Sequence, residues 1–172
     1  MRKETLPLVT DYVIRYLTLA DTASVQDLYE RCADYIELAT GGKPGPDAAQ
    51  HIFTELPAGK TYNDKLLIGI FTPAGRLIGL VDAIRDYPTE HEWYLYLLLL
   101  DPQERNRGLG EKIYHIFAEW AAMQGAQAIS LAVLTQNTQA QRFWQRLGFE
   151  AAEYTDELNT KDATRITLRR GL

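Results

Sequence analysis

Apolar positions along this chain fall into two rhythms, and the alternation between them predicts the order of elements. After a segment 1–10 expected to lie at an edge or to move, Tyr12 to Leu17 is β-branched and aromatic enough for a first strand. Val25, Leu28, Tyr29, Cys32, Ile36 and Leu38 then recur at helical spacing behind Asp21 or Thr22. That predicts one helix from Thr22 to about Leu38. Gly41-Gly42-Lys43-Pro44-Gly45-Pro46 ends it, and Asp47 opens a short helix with Ile52, Phe53 and Leu56 inward, stopped at Pro57. From Leu66 the rhythm changes to short, unbroken apolar runs. Leu66 to Phe71 and Leu77 to Ile84 read as strands joined by the hairpin-length connection 72–76, and Leu95 to Leu100 reads as a third. Ile113, Ile116, Phe117, Trp120 and Ala121 return to helical spacing until Gly125-Ala126. Ile129 to Leu134 is another buried strand. Thr138 to Leu147 is a helix with Ala140, Phe143, Trp144 and Leu147 inward, closed by Gly148. Phe149 starts a late strand, paired through the polar turn Asp156 to Asp162 with a last one from Thr164 to Arg169. The order β, α, α, β, β, β, α, β, α, β, β is a mixed α+β arrangement, read as a single domain over 1–172.

The stretch Tyr94 to Gly110, YLYLLLLDPQERNRGLG, carries the most chemistry. Leu95 to Leu100 is apolar enough to be buried on both faces, and Asp101-Pro102 ends its ladder because proline has no N–H to donate. A polar turn follows, then Gly108-Leu109-Gly110 and the helix. The first N–H groups of a helix lack internal partners and carry the positive end of its dipole. Gly108 and Gly110 remove the Cβ atoms that would keep a ligand from that backbone. Such a turn suits an anion, and a pyrophosphate matches several converging N–H groups best. No GxxxxGK[ST] is present, and Ile113 stands where a dinucleotide fingerprint would have its third glycine.

Composition narrows the class. A net charge of −5 argues against nucleic acid as a partner and mildly favours a cationic one. The single cysteine, Cys32, excludes an internal disulfide and reads as a small buried hydrophobe. No apolar run approaches the ~20 residues that cross a bilayer, and Leu6 to Val9 is too short for a signal core. The expectation is a cytoplasmic protein that engages no membrane.

Arg105-x-x-Gly108-x-Gly110 behind an apolar strand resembles motif A of the GNAT superfamily of acyl-CoA N-acyltransferases. One strand later, NTQAQRFWQRLGF resembles the family's motif B, N-x-x-A-x-x-F-Y-x-x-x-G-F, with Asn137, Ala140, Phe143, Gly148 and Phe149 matching. The resemblance implies the GNAT fold: a mixed, mostly antiparallel sheet flanked by helices, with a splayed central strand pair. It implies acetyl-CoA as the acyl-donor substrate, without a metal, and an amine of a small molecule or peptide as acceptor. Carried over, the loop Arg105, Asn106, Arg107, Gly108, Leu109 and Gly110 holds the pyrophosphate. The backbone of Leu98 and Leu100 binds the pantetheine arm and thioester oxygen, and Asn137, Phe143 and Trp144 complete the coenzyme site, although Asn137 reads equally as the cap of its own helix.

Trp144 departs from the family pattern, which has a tyrosine there to protonate the leaving thiolate. Indole N–H is not a usable acid at neutral pH. The two-residue strand period places Glu92, Tyr94 and Tyr96 on the face of Leu98, with Glu92 and Tyr96 as the proton-handling candidates. The acceptor pocket is expected from the first helices, the segment Asp82 to Tyr87 and the late hairpin. Asp34, Tyr35 and Glu37 in the first, with Glu150, Glu153, Asp156 and Glu157 in the last, would attract a cationic amine or form solvated faces. A non-catalytic acyl-CoA-binding module and a partner-binding domain without coenzyme stay open as alternatives, as does a homodimer.

Overall fold

The computed structural model describes residues 5–7, 11–152 and 165–172. The readings of the polar turn Asp156 to Asp162, of Glu153 and Glu157, and of most of 1–10 lie outside the described residues. Strands β1 (Val13–Tyr16), β2 (Lys65–Phe71), β3 (Leu77–Ile84), β4 (Glu92–Leu100), β5 (Ala128–Leu134), β6 (Glu150–Ala151) and β7 (Arg165–Gly171) form one sheet in the order β1-β2-β3-β4-β5-β7-β6. All pairings are antiparallel except β4 with β5.

Helices cover both faces. Helix α4 (Leu109–Met123) and helix α5 (Thr138–Arg146) pack on one, where Ile113, Phe117, Trp120 and Trp144 meet Ile68, Val81, Leu95 and Leu131. Helices α1 (Thr22–Arg31), α2 (Ala33–Thr40) and α3 (Ala48–Thr54) pack on the other, where Leu28, Cys32 and Ile52 meet Leu67, Leu80 and Leu99. The predicted single helix over Thr22 to Leu38 is therefore two. Its apolar spacing survives, but Cys32 leaves helical geometry at φ −96°, ψ 27°, and the axis breaks there. Cys32 is buried, as the sequence suggested, and its Sγ donates to Leu100 O at 3.3 Å.

Two irregularities in β4 position everything that follows. Parallel pairing with β5 extends only over Glu92–Ala128, Trp93–Ile129 and Tyr94–Ser130, after which the strands part. Against β3, Ala83 pairs with Leu95 but Asp82 with Leu97, so Tyr96 is the extra residue of a β-bulge. A bulge breaks side-chain alternation. Trp93 and Leu95 point toward α4, but beyond the bulge it is Leu98 and Leu100 that do so, while Leu97 and Leu99 join the α1–α3 side. Glu92 and Tyr94 thus do not share the face of Leu98, and the two-residue period fails at Tyr96.

Candidate active site

The parting of β4 from β5 opens a cleft of about 400 Å³ through the sheet. The direction of the β4 amides inside it follows from alternation. Asp101 donates its N–H to Ile78 O at 2.8 Å, toward β3. The N–H and C=O of Leu100 and Leu98 therefore face the gap, where β5 has withdrawn. Leu100 C=O accepts instead from Arg105 Nε at 2.9 Å.

Asp101 sets the end of β4. It is fully buried, accepts from Gln103 N at 2.9 Å, pairs with Arg76 at 3.0 Å and also with Arg31, tying the strand to α1 and to the β2–β3 hairpin. A short 3-10 turn, Pro102–Glu104, leads into the loop. Asn106 at φ 59° and Gly108 at φ 77° are left-handed, a backbone region that costs most residues and admits glycine freely. Helix α4 then starts with no side-chain cap, and its first internal bond is Lys112 N to Gly108 O. Its opening N–H groups are left to the cleft.

Most of the predicted coenzyme residues line this cleft: Leu98, Leu100, Arg105, Asn106, Gly108, Gly110, Asn137, Phe143 and Trp144. Gly110 sits between Leu100 and Phe143, where a Cβ would lie in ordinary contact at 3.4 Å from Leu100 and 3.5 Å from Phe143. Leu109 is buried in the core and Arg107 is exposed, and neither is among the lining side chains. Arg105 points back toward the protein, its guanidinium 2.5 Å from Asp34. Asp34 is neutralised by that contact, which also holds its carboxyl below the usual range, so it is not a free attractor of cations. Asn137 caps α5 by accepting from Ala140 N at 3.0 Å and still lines the cleft. Trp144 is buried edge-on against Tyr114, Phe143 and Phe149, with centroids 5.5, 4.8 and 5.2 Å away, and is as much core as wall.

The two candidates for proton handling separate. Tyr96 lines the cleft, is 43% exposed and stacks edge-on against Tyr94 at 4.6 Å. Burial, then the neighbouring Tyr87 and Tyr94, push its hydroxyl up beyond the ordinary tyrosine range, so it stays protonated. Glu92 is buried, bound by Arg169 at 3.1 Å and absent from the lining. The geometry does not bring it to the gap.

The expected acceptor pocket is met in part: the first helices and the late hairpin reach the cleft and Asp82 to Tyr87 does not, while the sequence reading named neither Arg165 nor the β5 residues of the far wall. Ala132, Leu134 and Arg165 face Tyr35, Leu38 and Tyr96 across the opening. It also missed that Asp82 is buried against Lys65 at 2.9 Å, with burial raising its carboxyl to about 6 in spite of that ammonium. Among the described residues, no cluster of His, Cys, Asp and Glu could hold a metal, and no helix is long and apolar enough to cross a membrane.

Comparison with known proteins agrees with this geometry. The sequence model of the acetyltransferase (GNAT) family matches residues 22–149. No curated protein matches the chain. Among solved structures, an acetyltransferase from Thermus thermophilus is 22% identical with a TM-score of 0.77, over 95% of this chain and 99% of that one. The PaiA N-acetyltransferase of Thermoplasma acidophilum, solved in complex with coenzyme A, is 16% identical with a TM-score of 0.67, over 94% and 99%. The GNAT domain of S. lividans PAT is 16% identical with a TM-score of 0.68, over 92% and 89%. At these identities the structures establish the fold, and the family match, which spans both the glycine loop and α5, establishes the rest: the chain belongs to the GNAT family of acetyltransferases.

Proposed function

We infer that this acyltransferase moves an acetyl group from acetyl-CoA to a primary amine of a small molecule or peptide, by direct attack in a ternary complex. The observation that carries this reading is the gap between β4 and β5, with the uncapped N-terminus of α4 at one side and the N–H groups of Leu98 and Leu100 turned into it. Pyrophosphate lies on the loop 106–110, and the pantetheine arm extends along β4 past Asn137 and Phe143. A thioester oxygen meeting the Leu98 N–H is polarised by that donor.

The amine enters from the α1–α2 side, where Tyr96 and Leu97 turn. Its nitrogen attacks the thioester carbonyl, the carbon–sulfur bond breaks, and the thiolate takes a proton. Tyr96, at the mouth of the gap, is the donor in place of the tyrosine that Trp144 displaces; burial holds its hydroxyl protonated at rest, so the transfer runs together with delivery of the amine's proton to it. The proton released by the amine passes through water in the open cleft and restores Tyr96.

The test is initial-rate thiol release from acetyl-CoA with a panel of monoamines, diamines, amino acids and peptide N-termini. Release should require an acceptor, and rates varied against both substrates should give intersecting lines. Parallel lines would point to an acetyl-enzyme. Coenzyme binding by calorimetry without turnover on any acceptor would make the chain a binding module.

A further inference from the structure

The side of the sheet that faces α1–α3 has an unusual charge balance, although of its carboxylates only Asp34 lines the cleft. Asp34 is paired with Arg105, Asp82 with Lys65 and Glu92 with Arg169, so three carboxylates of the α1–α3 side are already neutralised by cations of the fold. Arg165 is different. It lines the cleft, yet no hydrogen bond or ion pair engages it among the described residues. Its face follows from β7: Ile166 and Leu168 pack into the core beneath α4 and α5, and Arg170 reaches Tyr114 there. Arg165 and Arg169 therefore turn to the opposite, acceptor face, as the Arg169–Glu92 pair shows. In register, Arg165 lies beside Leu134, at the end of β5 that has parted from β4. Its charge reaches the hydroxyls of Tyr35 and Tyr94, drawing both down against the upward push of burial. The remaining walls are Tyr35, Leu38, Tyr96 and Leu97, apolar surface with phenolic tips.

Resting on the acetyl-transfer reading above, we propose that the acceptor amine carries an anionic group, a carboxylate or phosphate, received by the Arg165 guanidinium at the far wall while its apolar part lies against Tyr35, Leu38 and Tyr96. A guanidinium presents a planar fork of donors that matches such oxyanions bidentately. Outside α4 and α5, which contribute Glu111 and Arg146 to the lining, a polycationic amine meets one unpaired cation and no unpaired carboxylate among the described lining residues. The substrate class is thus an amino acid or a phosphorylated amine, and not a polyamine.

The experiment uses matched pairs that differ only in the anion: L-phenylalanine with phenethylamine, and O-phosphoethanolamine with ethanolamine. Spermidine serves as the cationic arm, and wild type is compared with Arg165→Ala. For wild type, kcat/KM in thiol release should favour at least one anionic member by tenfold or more, through KM. In Arg165→Ala that ratio should fall toward one. A preference for the neutral or cationic amines, or an anion preference that survives in Arg165→Ala, would overturn the proposal. Calorimetric titration of L-phenylalanine and phenethylamine into the coenzyme A complex reads the same contact without turnover. If no acceptor is acetylated, the transfer reading fails, but binding of L-phenylalanine that is tighter than that of phenethylamine and lost in Arg165→Ala still upholds the anion site. Equal or absent binding in both proteins overturns it.

Discussion

Tyr96 owes its place to a single inserted residue. With regular alternation it would follow Tyr94 down the strand; as the bulge residue it stands at the mouth of the gap with Leu97, opposite Asp82 alone. Replacing it with Phe keeps the ring and removes the proton. Tyr96→Phe should lower kcat by about 10–100-fold, the low end for a general acid because thiolate is a modest base, and leave the Kd of acetyl-CoA unchanged in calorimetry. An unchanged kcat would remove Tyr96 from the proton path. Trp144 gives the complementary case. Its ring is enclosed by three aromatic neighbours, so Trp144→Phe should cost about 1–2 kcal/mol in denaturant melts and raise KM for acetyl-CoA more than it lowers kcat. Trp144→Tyr should be tolerated. A collapse of kcat in Trp144→Phe with coenzyme binding intact would give the indole a chemical role.

At the scale of elements, local patterning located most strands and helices, including β3 to the residue, because each buries an apolar stripe that sequence period displays. What it could not display is pairing. The apolar run 93–100 has no residue that marks a bulge, and the bulge exists only relative to β3. The break at Cys32 is equally silent, since the residue keeps its helical position in the apolar pattern while the backbone turns. Arg165 escaped notice because its face and its place beside Leu134 depend on a strand pairing thirty-one residues apart in sequence. The glycine loop and Asn137, by contrast, were legible, because tight turns and caps restrict residue type directly. Caps also carry pH dependence. Asp21, ahead of α1, accepts from Thr18 N at 2.8 Å and pairs with Arg15 at 2.6 Å, which holds its carboxyl down at about 2. A depressed carboxyl stabilises the fold above the unfolded value near 3.8, and that contribution is lost as pH falls through about 2. Asp21→Asn should be about 1–2 kcal/mol less stable at pH 7, a figure discounted for the half-exposed Arg15, and the gap to wild type should close as pH is lowered from 4 to 2. Parallel stability curves over that range would show that Arg15 contributes no such linkage.

For the whole molecule the gap is a seam. β1 to β4 lie on one side of it and β5 to β7 on the other, and only three register pairs join β4 to β5. A coenzyme lying in the seam would touch both sides, from the loop and β4 on one to β5 and α5 on the other. Binding to the folded state alone then stabilises it by about 2.7 kcal/mol at a hundred times Kd. For a chain of this size that amounts to roughly 5–10 °C in Tm. The control variant is Gly110→Val and not a change at Gly108, because φ at Gly108 is 77° and any side chain there strains the backbone whether or not coenzyme binds. At Gly110 the Cβ makes only ordinary contacts, and a valine there adds bulk at a residue that lines the cleft. Gly110→Val should therefore fold and melt within a few degrees of wild type, yet lose the shift that acetyl-CoA produces. An equal shift in both proteins would mean that the ligand binds away from the seam. Amide exchange separates the cases further: with acetyl-CoA bound, protection should rise in β4 from Leu98 to Leu100 and in β5 from Leu131 to Leu134, the edges that the missing pairings leave open.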